Sequence, residues 1–250
     1  MRLRVLSDLH CEFRPVVVPH AAADVVVLAG DIHQGVEGVA WMREQFPDQP
    51  VVFVAGNHEF YHQTVPTALD ELRAACQGTN IHFLENEAVQ LGGFTFLGCT
   101  LWTDFCLFGV ERQVDAWAQA ASFFSDFRNI YIAPEGRRLR ARDMVFWHEA
   151  SRRWLEQEMA LHDPRTTIIV THHAPSVQSI PARLRGQWLT AAFASNLDAL
   201  IEQIGVPLWI HGHTHHSTHY TIGQTHILAN QRGYPKQLDP DFNLELTVEL

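Results

Sequence analysis

The chain is poor in cysteine, short of basic charge and without any hydrophobic run long enough to span a bilayer. Its four cysteines in 250 residues, Cys11, Cys76, Cys99 and Cys106, form no CxxC pair. That spacing argues against a disulfide framework and fits reduced thiols in a cytoplasmic protein. Lys and Arg number 18 against 28 Asp and Glu, a formal net charge of −10. Such a balance disfavours a protein that grips duplex nucleic acid on a basic face, although bound cations could still draw in a small anion. No stretch approaches the roughly 18 apolar residues of a membrane helix. Ser7 and Asp8 interrupt the opening apolar residues before a signal-peptide core can form, so neither a span nor a leader is expected. Internal repeats and Gly/Ser linkers are also missing, and a single domain over residues 1–250 is favoured.

What is present is a hydrophobic fraction of 46% and 16 histidines. The first supports a sizeable core; the second raises the question of metal. Five segments share one pattern, a short β-branched apolar run that stops at polar residues carrying lone pairs: "RVLSDLH" (4–10), "VVVLAGDIH" (25–33), "VVFVAGNHE" (51–59), "TIIVTHHAP" (167–175) and "PLWIHGHTHH" (207–216). Runs apolar on both faces suit central strands of a covered sheet. Helices are predicted between them over Val36–Phe46, Val65–Cys76 and residues 190–203. Strands alternating with helices imply an α/β sheet, whose ligands gather at the strands' carboxyl ends. Hairpins are predicted at Gly92–Gly93 and at Gly223, and the alternating "LELTVEL" reads as an edge strand. Residues 103–163 break the alternation and read as an aromatic-rich helical insertion over the site. Within it Asp143 is expected to cap a helix, and "RRLRAR" to be a solvated helix face.

The strand ends collect Asp8, His10, Asp31, Asn57, His58, His172, His213 and His215. Two aspartates in one cleft repel unless a cation neutralises them. Oxygen and nitrogen donors without thiolate suit Mn, Fe, Zn or Co. Seven ligands beside His58 are too many for one tetrahedral ion, but divide into two sets of four if one carboxylate bridges two ions.

In order, the blocks "DLH", "GD", "GNHE", "THHAP" and "GHTH" resemble those of the calcineurin-like metallophosphoesterases. The resemblance implies a four-layer αββα sandwich of two mixed β-sheets flanked by helices. It also implies two divalent or trivalent ions, most readily Mn, Fe or Zn. Asp8, His10 and His215 would then hold one ion, Asn57, His172 and His213 the other, and Asp31 would bridge. A metal-bridging hydroxide would attack the phosphate ester, with His58 as general acid. His173 would shape its turn, and Glu59 would fix the loop by hydrogen bonds.

The chain departs from the protein phosphatases of that superfamily. "GDIHQG" and Ala55 stand where they carry arginines, so a phosphoprotein substrate is not expected. The compact bacterial, phosphodiesterase-like members are the nearer resemblance, carried further by "SDLHCEF", "LWTDF", "DFRNI" and "RGY". The expected partner is a small-molecule or nucleotide phosphodiester. A phosphomonoesterase and a catalytically silent metal-binding scaffold of the same fold remain alternatives. Arg128, Arg232, His148 and Asp104 are the candidates for substrate contact, the two arginines because a guanidinium can pair bidentately with phosphate.

Overall fold

Alternate residues of the first strand face different layers, and the whole architecture follows from that. In the computed structural model, which describes residues 1–250, Leu3 and Val5 pack inward with Phe96, Ile168, Val170, Leu208 and Ile210. Leu6 packs outward with Val39, Met42, Phe53 and Leu72. The strands are β1 (Arg2–Leu6), β2 (Val25–Leu28), β3 (Val51–Phe53), β4 (Thr64–Val65), β5 (Ile81–Phe83), β6 (Glu87–Leu91) and β7 (Phe94–Cys99). They continue as β8 (Tyr131–Ile132), β9 (Arg137–Arg138), β10 (Thr167–Thr171), β11 (Leu208–Ile210), β12 (Thr218–Ile222), β13 (Thr225–Ala229) and β14 (Thr247–Glu249).

One sheet runs β14-β1-β2-β3-β5 and a second β12-β13-β11-β10-β7-β6. In each the central strands are parallel, and antiparallel strands close the edges: β14 in the first, β12 and β6 in the second. Helices α1 (Glu37–Gln45) and α2 (Thr67–Cys76) cover the outer face of the first sheet. The outer face of the second receives α5 (Ala141–Met159) and α6 (Asp198–Ile204), whose Leu155, Leu200 and Ile201 meet Ile169, Trp209 and Ile227. The result is the expected four-layer sandwich, in which β1, β2, β3, β10 and β11 all deliver their following loops to one rim.

Four local readings change. Residues 190–203 do not form one helix: Trp188–Ala192 is a 3₁₀ turn, and α6 starts only at Asp198. Between them the Ser195 amide donates to the Ala174 carbonyl at 3.0 Å, a tertiary pairing that withdraws the segment from helix. Val65 pairs with Ile132 in β4, so α2 starts after Pro66 at Thr67. Asp143 is the third residue of α5, where its carboxylate accepts the Arg140 amide at 2.9 Å from inside the first turn. "RRLRAR" is strand β9 followed by the entry to α5, with Leu139 buried.

A third sheet, β4-β8-β9, was not anticipated. It ties the 103–163 segment to the first half of the chain. Within that segment α5 belongs to the helical layer, while α3 (Gln113–Phe123) and α4 (Asp126–Asn129) bring Phe123, Phe124, Ser125 and Asp126 to the cleft wall.

Candidate metal centre

Five residues at the rim hold a backbone conformation that side chains disfavour. Asp8, His10, Asp31, His213 and His215 have φ of 51°, 48°, 54°, 71° and 47°. Left-handed backbone costs a non-glycine residue about 1–3 kcal/mol, so the surrounding contacts must impose it. The amides of Asp8 and His10 donate to the carbonyls of Gly30 and Asp31, both at 3.0 Å. Buried Glu59 accepts the amides of Gly56 at 2.6 Å, Ile32 at 2.8 Å and Asp31 at 2.9 Å. It thus pins the loop after β2 to the loop after β3, the fixing role the sequence suggested for it. Gly30 and Gly56 cannot be replaced at this crossing: a β-carbon on Gly30 would run into the Gly56 backbone and the His172 ring, and one on Gly56 into the Asp31 carboxylate.

The imposed turns aim donor atoms at one another. Asp8, His10, Asp31 and His215 form one group, and Asp31, His172 and His213 a second, each with its donor atoms within 4.8 Å; Asp31 belongs to both. In the first, His10 Nε2 lies 3.0 Å from His215 Nε2 and 3.7 Å from Asp31 Oδ2, and His215 Nε2 lies 3.4 Å from Asp8 Oδ1. In the second, His172 Nε2 lies 3.0 Å from Asn57 Oδ1, 3.1 Å from His213 Nδ1 and 3.5 Å from Asp31 Oδ1.

Hydrogen bonds on the far sides of these groups decide which atoms carry protons. His172 Nδ1 donates to the Ala29 carbonyl at 2.8 Å, leaving Nε2 as a bare lone pair. The Asn57 amide donates through Nδ2 to Asp126 Oδ1 at 2.9 Å, which turns Oδ1 toward the same point. His10 Nδ1 pairs with Glu12 Oε1 at 3.1 Å, so its Nε2 is likewise a lone pair. The lone pairs of His10 and His172 and the Asn57 oxygen therefore converge with the carboxylate oxygens of Asp8 and Asp31. That arrangement is repulsive by itself and becomes favourable around cations, so the donor set fits metal.

Protonation states agree. Burial pushes the imidazoles of His10 and His172 down to about 4 and holds that of His213 well below its ordinary value, so all three are neutral at neutral pH. Asp31 is pushed well above the carboxylate range by burial first and then by the charges of Glu59 and Asp8, a penalty that a bound cation reverses.

His58 stands beside these donors with its ring 97% buried and both nitrogens engaged, Nδ1 to Glu12 Oε1 at 2.8 Å and Nε2 to the Tyr234 hydroxyl at 3.0 Å. The Tyr61 ring stacks on it at 4.2 Å. One carboxylate oxygen, Glu12 Oε1, thus orients both His10 and His58. His173 lies outside the donor groups: its amide donates to the Thr100 carbonyl at 3.1 Å, and its ring packs 4.1 Å from that of His213.

The four candidates for substrate contact are not brought to the cleft. Arg128 is exposed and turns its guanidinium back toward the Phe123 carbonyl. Arg232 donates to the Leu9 carbonyl at 2.6 Å, bracing the loop after β1. His148 is buried on α5 between Ser195, 3.5 Å away, and Asp104, 3.9 Å away, behind the Trp102 turn. Four residues not singled out do reach the site: Glu12, Tyr61, Asp126 and Tyr234. Three of these lie inside "SDLHCEF", "DFRNI" and "RGY", each two positions from a candidate residue.

Residues 1–217 match the calcineurin-like phosphoesterase family. An uncharacterised protein of Acanthamoeba polyphaga mimivirus is 24% identical over 202 residues, covering 74% of this chain and 68% of that one. The phosphopantetheinyl hydrolase of Mycobacterium tuberculosis superposes with a TM-score of 0.72 at 15% identity, over 94% of this chain and 90% of that one. A candidate 5'-nucleotidase from Staphylococcus aureus superposes with a TM-score of 0.50 at 17% identity, over 93% of this chain but only 49% of that one. At these identities the two structures speak for the fold alone, whereas the family match covers most of the chain. The chain belongs to the calcineurin-like phosphoesterases.

Proposed function

We propose that this protein hydrolyses small phosphodiesters with two metal ions bridged by Asp31. The observation that carries the reading is the membership of Asp31 in both donor groups, with nitrogen and oxygen donors converging on either side of it. Asp8, His10 and His215 would hold one ion, and Asn57, His172 and His213 the other, with Mn, Fe or Zn matching the donors. When bound, the pair supplies positive charge for the phosphoryl oxygens and an acidified water as nucleophile. The chain does the rest. Glu12 holds His58 with Nδ1 toward the carboxylate, so Nε2 is the nitrogen that delivers a proton to the leaving oxygen. Tyr61 and Asp126 hold Asn57 in its amide orientation.

Two features favour a diester over a monoester. The cleft extends to both sides of Tyr61 and Tyr234, leaving room for a substituent on each side of phosphorus. Lys236 is the only Lys or Arg on its walls, so little cationic charge is available for the additional negative charge of a monoester. Four free thiols suit the reducing cytoplasm.

The test is reconstitution of the purified chain with Mn, Fe and Zn, followed by assay on chromogenic phosphodiesters and phosphomonoesters. Native protein should turn over the diester, and Asp31→Asn should lose on the order of a thousandfold in rate. Equal rates for the two proteins, or inactivity of both on every ester, contradicts the proposal.

A further inference from the structure

The cleft has two parts. The chamber over the donors, about 330 Å³, is walled by Asp31, Asn57, His213 and His215. A neighbouring cavity of about 850 Å³ is walled by His58 and by none of the metal-donor residues. In the function proposed above, on which this inference rests, His58 protonates the leaving oxygen. In-line displacement sets entering and leaving oxygens on opposite sides of phosphorus, so the leaving group departs on the His58 side and the retained substituent stays in the donor chamber.

Beside its donors that chamber has an apolar wall built by two separate segments. Phe123 and Phe124 come from the end of α3, and Leu189 and Phe193 from within and just after the Trp188–Ala192 turn. The segments meet where the rings of Phe124 and Phe193 stand edge to face with centroids 5.0 Å apart, and Phe193 also packs 5.2 Å from the ring of His213. The wall therefore begins at a donor histidine. It is not covered: Phe123 is 63% exposed, and Phe124, Leu189 and Phe193 each keep part of their surface free. The polar groups around it are engaged. Thr214 Oγ1 accepts from the Gln231 amide at 2.8 Å, Asp126 Oδ1 accepts from Asn57 and Tyr61, and Asp126 Oδ2 is sealed from solvent. Ser125 and Gln237 stand at the junction, since both also line the neighbouring cavity. No Lys or Arg lines the chamber. An anionic substituent would find no counter-charge there and a sugar few free partners, whereas an apolar group gains by leaving water.

We propose that the donor chamber selects phosphodiesters whose retained substituent is apolar, alkyl or aryl, and holds that substituent against Phe123, Phe124, Leu189 and Phe193. One water is consumed: its oxygen bonds to phosphorus as the bond from phosphorus to the leaving oxygen breaks. That oxygen takes a proton from His58 Nε2, and the proton given up by the water restores His58. The products are the departing alcohol and a phosphomonoester of the apolar group.

Two measurements test this. First, the metal-loaded protein is titrated calorimetrically with methyl-, hexyl- and benzylphosphonate, a binding readout that needs no turnover. The hexyl or the benzyl compound should bind at least about tenfold tighter than the methyl one, and the order of those two tells alkyl from aryl. Phe123→Leu should keep that preference, while Phe123→Asn and, on the other segment, Leu189→Asn should each cut it about fivefold. Second, nitrophenyl phosphodiesters that differ only in a methyl, hydroxyethyl, hexyl or benzyl retained group are compared in kcat/KM. The apolar groups should lead the methyl and hydroxyethyl ones by about tenfold, with the same response to the three variants. Equal affinity for the three phosphonates, binding of none of them, or a preference that both asparagine variants leave intact overturns the apolar subsite; turnover of the methyl diester then still upholds the phosphodiesterase reading. An apolar preference in phosphonate binding without turnover of any phosphate ester instead overturns the enzymatic reading, and the substrate role with it.

Discussion

His172 is fully buried with both ring nitrogens engaged, Nδ1 by a backbone carbonyl and Nε2 among the donors, whereas the His215 side chain keeps 21% of its surface in solvent and only its Nε2 meets other donors. The same contrast runs through the two donor groups. Around Asn57, His172 and His213 the supporting bonds come from Ala29, Asp126 and Tyr61, all inside the fold. Around Asp8, His10 and His215 the support comes from Glu12 and from main chain, and solvent reaches the last ligand. The lesson is that two donor sets of similar chemistry can differ in burial and in the hydrogen bonds behind them, features that would set how firmly each retains an ion.

The largest effect that sharpens this contrast is expected at His58, which stands beside His10 and lines the cleft. His58→Gln should slow hydrolysis of a diester with a poor leaving group by about 10²–10⁴-fold and that of a nitrophenyl diester much less, since a good leaving group needs no proton. Equal losses on both substrates would remove its role as acid. Next comes Asp126→Asn, which keeps the shape but puts an amide against the Asn57 amide. It should weaken the inner ion, that of Asn57, His172 and His213, about 10–100-fold in a metal titration and leave the outer ion, that of Asp8, His10 and His215, unchanged. If instead the outer ion weakens, the assignment of supporting bonds is wrong. A chelator should then strip the wild-type protein in two phases, one ion per phase, with the outer ion leaving first. A single phase would erase the distinction between the groups.

The smallest expected effect is on the metal-free protein. Buried His10 and His172 titrate near 4 in the fold against the ordinary value of 6.5, so between those values the unfolded chain binds more protons. Their contribution to stability is complete above pH 6.5 and declines as the pH falls toward 4. Thermal midpoints of the metal-free protein should drop over that window by more than those of His172→Gln, since Asp31 and Glu59, whose carboxyls burial raises, act in the opposite sense in both proteins; equal drops would mean that the imidazole is not sealed.

What could be read from the residues alone divides along a similar line. The donors stand at the ends of short apolar runs, and a strand buried on both faces leaves its first polar residues nowhere to go but the rim. Supporting residues carry no such mark. Asp126 and Arg128 are two apart on α4, hence about 200° apart around a helix, so choosing the arginine selected the face turned from the cleft. Arg232 and Tyr234 pose the same problem in a loop, where only the tertiary bond to the Leu9 carbonyl shows which side chain turns away. Glu12 was hidden because its partner His58 is 46 residues distant. The 3₁₀ turn at Trp188–Ala192 and the sheet β4-β8-β9 were illegible for a related reason: pairings with distant chain override helical propensity there.

The central claim is that Asp31 stands between two ions. Anomalous diffraction at the metal edge, from crystals grown with Mn or Zn, tests it directly. Two peaks roughly 3.5–4 Å apart with the Asp31 carboxylate touching both is the predicted result. A single peak in the inner group, with Asp31 on that ion alone at saturating metal, would contradict it.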